Sequence, residues 1–242
     1  MDYSLLKNPD LARIVADVTT DGHLQIQDWR HLVSFYSNQL EDINGFQSRI
    51  FHLFNLKCRV YLDYRQNLKY KVFLISKPVA LFLKEIDTPV GNKTNIPFEI
   101  PLWVRHGSNA VVSVYLQGLF DGEGSIHETR GIGNAKSRWR ISFAMCKNEK
   151  ILASGFLFME QIRSLLSEFE IASSPVRKRF MNKRKDGSLS YELVFTIEKS
   201  SFRNFYKSVG FLHPQKREKL YSALALKRGF GISKGYTLEP SG

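Results

Sequence analysis

The chain of 242 residues carries a formal net charge of +12, and 43% of its residues are hydrophobic. This composition excludes an intrinsically disordered chain, and the length allows one large domain or two of roughly 100–130 residues. Apolar runs of about 18 residues are absent, which excludes a predicted membrane span. Cys58 and Cys146 lack the CxxC spacing of zinc sites and do not suggest a disulfide framework.

The positive charge is concentrated in the second half of the chain. Residues 1–110 contain 13 Lys and Arg against 11 Asp and Glu, giving +2, whereas residues 111–242 contain 22 against 12, giving +10. Such basicity predicts a polyanionic partner, with nucleic acid ahead of an acidic membrane. The N-terminal stretch MDYSLLKNPD lacks a secretory or transit pattern, so we expect a cytoplasmic protein.

The first half begins with a predicted helix. Asn8 can cap this helix, Pro9 fits its first turn, and Asp10 meets the positive end of its dipole, so the helix is expected to run from there to Gly22. Apolar periodicity predicts the elements that follow. They are a hairpin over 23–38, a helix over about 40–55, a second hairpin over 57–75 that turns near Gln66-Asn67, and a helix over 77–87.

A stretch with Pro, Gly and Asn but little periodicity, residues 87–101, predicts a linker between two halves. After it the same order of elements returns. The predicted elements are a helix over about 109–123, a hairpin around 127–136 with a return strand over 138–146, a helix over about 148–169, a hairpin over 176–197 and a helix that begins near Pro214. We therefore predict an α+β protein with two αββαββα repeats: an N-terminal repeat over 1–100, a linker near 88–107, and a C-terminal repeat over 108–242.

The segment LQGLFDGEGSI, residues 116–126, is the most informative in the chain. It predicts an apolar helix that ends at Glu123, although a carboxylate is disfavoured at the negative end of a helix dipole by roughly 0.3–1 kcal/mol. Gly118 and Gly122 lie on one helix face and would let another backbone approach closely. Gly124 is interpreted as a C-terminal cap in the left-handed conformation. A carboxylate at this position suggests that a cation binds beside it.

A weaker copy of this segment, IVADVTTDGHL, occupies residues 14–24. Asp21 aligns with Glu123, while the small residues Ala16 and Thr20 align with the two helix glycines. Packing the two helices along their small faces would bring the two carboxylates together. Two such groups cannot both ionise at low cost without a cation between them, and hard oxygen ligands favour Mg²⁺ or Ca²⁺.

Together the two segments resemble the motifs of the LAGLIDADG homing endonucleases, in their single-chain, two-motif, archaeal intron-encoded form. The runs FYSNQLEDINGF (35–46) and GFLHPQKREKL (210–220) extend this resemblance over nearly the whole chain. It implies that the two repeats pack through their motif helices and that antiparallel sheets form a DNA-binding saddle.

The resemblance also implies an activity. The expected reaction is metal-dependent hydrolysis of phosphodiester bonds, with Mg²⁺, that breaks both strands of a long DNA target and leaves short 3′ overhangs. Ca²⁺ could occupy the site without supporting cleavage, and the protein would act as a monomer. Two alternatives remain open: an RNA maturase that binds intron RNA and assists splicing, and a DNA-binding protein that no longer cleaves.

Further site residues follow from the same resemblance. The main-chain carbonyls of Thr20 and Gly122 would complete the metal coordination begun by Asp21 and Glu123. A lysine is expected beside each scissile phosphate, and the sequence offers Lys216 in the second half and Lys93 in the first. A polar residue at the end of each first hairpin would orient the water. Asn38 occupies this position in the first half, and Cys146 or Lys147 in the second.

Alternation along the strands predicts a polar surface for DNA, because Arg, Gln and Ser side chains match the donor and acceptor pattern of the major groove. The basic run 177–185 is expected to bind phosphates. The predicted DNA-binding residues are Gln25, Gln27, Arg59, Arg65, Lys69, Lys71, Arg138, Arg140, Ser142, Arg177, Arg179, Lys183 and Arg184.

Overall fold

The computed structural model describes residues 3–64, 69–129 and 138–226. The first half of the chain contains three helices and four strands. They are α1 (Pro9–Thr19), β1 (Gly22–Gln27), β2 (Arg30–Ser37), α2 (Leu40–Phe54), β3 (Arg59–Asp63), β4 (Lys69–Ile75) and α3 (Lys77–Glu85). A single helical turn, α4 (Leu102–Arg105), ends the connection to the second half.

The second half repeats this order and adds a helix at its end. Its elements are α5 (Asn109–Gly122), β5 (Gly124–Thr129), β6 (Arg138–Asn148), α6 (Leu152–Glu168), β7 (Arg177–Lys183), β8 (Leu189–Ile197), α7 (Phe202–Ser208) and α8 (Pro214–Leu226). The α+β class and the αββαββα order are thus confirmed, and short 3₁₀ turns accompany several of the helices. The sequence analysis missed α7, which is only seven residues long.

Each half forms its own four-stranded antiparallel sheet, with strand orders β1-β2-β4-β3 and β5-β6-β8-β7. One face of each sheet packs on helices, and we call the opposite face the open face. In the first sheet the core face carries Val33, Val72 and Leu74. The corresponding face of the second sheet carries Phe143 and Phe195, whose ring centroids lie 5.3 and 6.4 Å from that of Phe120 in α5.

The two halves meet along α1 and α5, which cross through their small residues. A Cβ atom on Gly118 would lie 2.6 Å from the Ala16 Cβ, and one on Gly122 would lie 2.4 Å from the Thr20 Cβ. Real Cβ atoms do not approach so closely, so any larger residue at either position would push the helices apart. The predicted packing of the motif helices along their small faces is therefore confirmed.

The interpretation of Gly124 as a left-handed cap is wrong. The glycines with positive φ among the described residues are Gly91, Gly187 and Gly210, whereas Gly124 begins β5 directly. Its missing side chain serves a close approach instead, because a Cβ atom there would lie 2.4 Å from the Phe120 carbonyl oxygen. The turn expected near Gln66-Asn67 lies outside the described residues. Within the described part of the chain, none of the helices combines the length and apolarity that crossing a membrane requires.

Candidate active site

The C-terminal ends of α1 and α5 lie side by side, and each is followed directly by one of the predicted acidic residues. Asp21 is exposed and Glu123 is half-buried. Burial, together with the negative charge of Asp21, raises the pKa of Glu123 to about 7, against the opposing effect of the nearby lysines. Although the Asp21 side chain reaches solvent, desolvation by the surrounding helix ends raises its pKa, and the cations Lys69, Lys216 and Lys93 oppose that shift. The carboxylates therefore interact electrostatically, as like charges held at one end of a helix pair should.

Two lysine side chains, Lys93 and Lys216, donate hydrogen bonds to main-chain carbonyl groups at these helix ends, in matching positions. The Lys93 Nζ donates hydrogen bonds to the carbonyl oxygens of Val18 at 2.9 Å and Thr20 at 2.6 Å, and also to that of Gly22. The amine neutralises the partial negative charge of the last helical turn. Burial lowers the pKa of Lys93 to about 8, whereas the charges of the two acidic residues raise it.

In the second half Lys216 makes the equivalent contacts at the end of α5. Its Nζ donates to the carbonyl oxygens of Phe120 at 3.3 Å, Asp121 at 2.5 Å and Gly122 at 3.4 Å. Burial lowers its pKa as well. Two carbonyls of each set, Val18 with Thr20 and Phe120 with Gly122, correspond under the alignment of the two motifs. The structure thus brings both predicted lysines to the predicted acidic residues.

Two cavities adjoin the ends of this helix pair. The smaller, about 160 Å³, is lined by Asp21 and Gly122 together with Lys216, Lys69 and the exposed Asn38. This arrangement places a carboxylate, a main-chain carbonyl, a lysine and an amide around one space. Asn38 thus lies where a residue that orients a water is expected.

The larger cavity, about 660 Å³, is lined by Glu123, Thr20 and Lys93. Cys146 and Glu192 also line it, and these two residues are direct partners between β6 and β8. Of the two candidates for the water-orienting position, the structure therefore places Cys146 at the cavity, on the open face. Lys147 points to the core side of the same strand and is only 1% exposed.

The oxygen donors around each cavity fit a hard divalent cation. The smaller cavity is lined by Asp21 of the first motif and Gly122 of the second. The larger cavity is lined by Glu123 of the second motif and Thr20 of the first. Carboxylate and carbonyl oxygens are the ligands that Mg²⁺ and Ca²⁺ prefer. A carbonyl oxygen has two lone pairs and can accept a lysine N–H bond while it binds a cation. Clusters of three or more His, Cys, Asp or Glu side chains are absent from the described residues.

A buried ion-pair network beneath the site was not anticipated from the sequence. Arg13 in α1 pairs with Asp17 at 2.7 Å and reaches across the helix crossing to Asp121 at 2.8 Å, while Arg49 in α2 pairs with Asp17 at 3.0 Å. Asp121 also accepts the backbone N–H groups of residues 212 and 213, just before α8. The network thereby links both motif helices to the helix that carries Lys216.

The predicted DNA-binding residues of the first sheet lie largely on its open face. The register pairs Tyr61 with Lys71, and Tyr36 with Lys71, so these three side chains share a face. The Lys71 Nζ lies 5.0 Å from the Tyr36 ring centroid and 5.6 Å from that of Tyr61, which holds the cation over an aromatic surface. Strand alternation and register place Gln25, Gln27, Arg59 and Lys69 on the same face, and Arg65 lies outside the described residues.

In the second sheet Arg138, Arg140 and Ser142 also occupy the open face, and Ser142 Oγ lies 2.8 Å from Ser125 Oγ. Every residue of β7 is exposed, so its cations are accessible from solvent. A register shift after Phe180 moves Lys183 to the face of β7 opposite Arg177 and Arg179.

Two of the basic residues of the second sheet already have partners. Arg179 forms an ion pair with Glu192, which lines the larger cavity. The guanidinium of Arg184 donates to the side chain of Asn95 at 2.8 Å, in the connection between the halves. The alternating strand sequences and the basic run predicted this basic surface. The partners of Arg179 and Arg184, however, follow only from the tertiary structure.

Comparison with known proteins shows which families and structures the chain is similar to. Residues 110–210 match the model of a LAGLIDADG-like domain. Among curated proteins, the tRNA-splicing ligase RtcB of Methanocaldococcus jannaschii is 30% identical over 138 residues, that of Pyrococcus abyssi is 26% identical over 227 residues, and the RNA polymerase subunit Rpo1N of M. jannaschii is 26% identical over 234 residues. These matches cover 57%, 90% and 91% of the chain, which spans only 13%, 24% and 17% of the relatives.

Solved structures share the fold over most of the chain. A variant of the homing endonuclease I-DmoI matches with a TM-score of 0.53 and 14% identity, over 90% of this chain and 97% of that one. The homing endonuclease I-WcaI, bound to its DNA recognition sequence, matches with a TM-score of 0.52 and 11% identity, over 89% and 87%. Full-length DUF199/WhiA from Thermatoga maritima matches with a TM-score of 0.54 and 11% identity, over 96% and 65%.

Proposed function

We propose that the chain is a LAGLIDADG protein that acts as a site-specific, metal-dependent DNA endonuclease of the homing type. One observation supports this proposal above all. Asp21 and Glu123 meet at the ends of two packed helices, and each is joined by a carbonyl of the other motif and by a lysine. Two such centres related by approximate twofold symmetry suit a duplex, whose strands present two scissile phosphates of opposite polarity.

The names of the curated relatives do not indicate the activity. They include an RNA ligase, a polymerase subunit and an aminotransferase, although each matches the same chain over a small part of its own length. A segment shared by proteins of unrelated activity does not carry those activities. The structural neighbours are more informative, since structures of I-DmoI contain target DNA with Mg, Mn or Ca.

In the proposed reaction, Asp21 with the Gly122 carbonyl and Glu123 with the Thr20 carbonyl would hold divalent cations. Bound Mg²⁺ would supply an activated water and stabilise the leaving oxygen of an in-line displacement. Lys93 and Lys216 would place positive charge beside the phosphates as negative charge develops there. Asn38 would orient the attacking water at one centre, and Cys146 takes the equivalent position at the other.

The open faces of the two sheets would bind the duplex on either side of these centres. Arg and Gln side chains at alternate strand positions can read base edges in the major groove, and the cations of β7 can bind phosphates. Breaks in both strands with short 3′ overhangs, action as a monomer and a location in the cytoplasm belong to the same proposal.

The first experiment tests the two acidic residues. A plasmid library incubated with the protein and Mg²⁺ should yield linear molecules, and sequencing their ends identifies the target. On that target, Asp21→Asn and Glu123→Gln should reduce cleavage by at least about a hundredfold while DNA binding in EDTA stays near that of the wild type. Glu168→Gln, which removes an exposed carboxylate at the end of α6, is the matched control and should cut normally.

The alternatives predict different results in the same assay. A DNA-binding protein that no longer cleaves would leave every plasmid intact. An RNA maturase would bind intron RNA more tightly than the DNA of the joined insertion site. Wild-type cleavage rates in both acidic-residue variants would show that the metal assignment is wrong.

A further inference from the structure

A lysine with no role in the proposed reaction is buried at the end of β6. Lys147 is 1% exposed, and its stem fits against α6 because residue 155 is a glycine, where a Cβ atom would lie 2.8 Å from the Lys147 Cγ. Burying an amine is costly unless it has partners. The missing side chain at Gly155 therefore leaves room for the buried stem of Lys147.

The partners of the Lys147 amine belong to the connection between the two halves. Its Nζ donates to the main-chain carbonyl of Lys93 at 2.8 Å and lies 3.6 Å from the ring centroid of Phe98. These contacts hold Lys93 by its backbone, while the Lys93 side chain reaches the carbonyls at the end of α1. Lys147 thus contacts the segment that supplies the lysine of the larger cavity.

The neighbouring residues fix the same segment to the second half. The Asn148 N–H donates to the Thr94 carbonyl at 2.9 Å, and Arg184 donates to the Asn95 side chain at 2.8 Å. Only Lys147 among these reaches the carbonyl of Lys93 itself. The lysine at the first motif is therefore positioned by the second half of the chain.

Lys216, the lysine of the smaller cavity, is positioned in a different way. Lys216 lies in the third position of α8, whose lead-in is held by Asp121 through the N–H groups of Leu212 and His213. Asp121 belongs to α5, so this support comes from the same half. The two centres are alike at their carboxylates and lysines but differ in what holds each lysine.

We propose that Lys147 is a positioning residue for Lys93, and that it thereby controls cleavage of one DNA strand and not of the other. This inference rests on the proposed endonuclease function. Loss of the Lys147 amine would release the Lys93 backbone, and displacing a catalytic group by about 1 Å costs on the order of a hundredfold in rate. The centre that uses Lys216 has its own support and would keep its activity.

The strand-specific test uses a duplex labelled separately on each strand. Lys93→Met and Lys216→Met identify which strand depends on which lysine. Lys147→Met keeps the buried stem and removes the amine, so it should slow the strand affected by Lys93→Met about a hundredfold and yield nicked DNA. Equal slowing of both strands, or slowing of the strand affected by Lys216→Met, would overturn the proposal. Ile141→Val, a core change on the same strand away from the connection, should not separate the two rates.

A second measurement does not depend on cleavage. The intact protein without DNA is treated with an amine-acylating reagent, and the modification of each lysine is followed by peptide mass spectrometry. Lys147→Met should make Lys93 more reactive and leave Lys216 unchanged. Unchanged Lys93, or an equal rise at both lysines, would contradict the positioning role. If the wild type cuts no DNA, the proposed function fails, and this measurement alone decides whether Lys147 positions Lys93.

Discussion

At the scale of single residues, the most unusual group is the amine of Lys147. Burial, together with the nearby charge of Lys93, lowers its pKa to about 7, against the opposing effect of Glu123. An unfolded lysine has a pKa of about 10.4, so the unfolded chain holds one more proton than the folded chain between those values. The free energy of unfolding gains a contribution that rises with pH across this range.

This increase of the free energy of unfolding with pH can be tested. Between pH 7 and 9 the Lys147 contribution should raise the free energy of unfolding with a slope approaching about 1.4 kcal/mol per pH unit. Lys147→Met should remove that part of the slope in urea unfolding, although the slope from Lys93 would remain. Leu193→Ala trims the core beside Lys147 without removing an ionisable group, and should lower stability by a similar amount at each pH. A slope unchanged in Lys147→Met would show that the amine keeps its proton in the folded protein up to pH 9.

At the scale of elements, the crossing of α1 and α5 depends on two glycines. Gly118→Ala would place a methyl group 2.6 Å from the Ala16 Cβ. We expect it to lower the free energy of unfolding by about 1–3 kcal/mol, in spite of the gain in helix propensity, because overpacking a fixed crossing forces backbone shifts. Chemical denaturation measures the change. Cleavage should fall as well, since both carboxylates follow directly from these helices.

Two further variants separate crowding from other effects. Ala16→Gly in the Gly118→Ala background removes the closest contact and should restore part of the lost stability. Gly45→Ala in α2 meets the Arg49 guanidinium at 3.3 Å rather than a backbone or Cβ atom at 2.6 Å, and should therefore change stability by less than Gly118→Ala does. A Gly118→Ala protein as stable as the wild type would mean that the helices can separate slightly at no cost.

Most elements were predictable because their signals are local. The Asn8-Pro9 start of α1 and the repeated small-residue pattern depend on neighbours in sequence, and the structure reproduces them. The Gly124 cap was predicted wrongly because a glycine that avoids a clash has the same sequence as one that adopts positive φ. The Arg13–Asp17 pair was visible as an i,i+4 spacing, but its cross-helix partner Asp121 follows only from the tertiary packing.

The residues of the candidate site also divide into those predicted from local motifs and those that depend on tertiary contacts. The acidic residues and lysines were predicted from motifs that align with a known family. The sequence left Cys146 and Lys147 as equal candidates, because assigning adjacent strand residues to faces requires the register of the sheet. Pairing of Cys146 with Glu192 assigns Cys146 to the open face and Lys147 to the core face, and the contacts of the 93–98 segment come from residues about 50 positions away.

At the scale of the whole molecule, the two halves are alike in fold but unequal in chemistry. The first motif ends in Asp21 and the second in Glu123, and the cavities beside them differ about fourfold in volume. Asn38 faces one cavity and Cys146 the other. These differences fit a target that is not symmetric, and they lead us to expect unequal rates for the two strand breaks.

The unequal charge of the halves gives the last prediction. Because residues 111–242 carry +10 of the net charge of +12, the second half should dominate the electrostatic part of DNA binding. Arg177→Gln, on the fully exposed β7, should weaken binding and make the slope of log K against log salt shallower by about one. Titrations in the Glu123→Gln background, between about 50 and 200 mM salt, measure this slope without cleavage.

The matched control is Lys77→Gln, which removes an exposed cation at the start of α3. This helix packs on the core side of the first sheet through Val79, Phe82 and Leu83, so Lys77 lies away from the open face. Its loss changes the net charge as much as the loss of Arg177 but removes no expected phosphate contact. Equal slopes for the two variants would mean that the net charge alone, and not the placement of cations on β7, governs DNA binding.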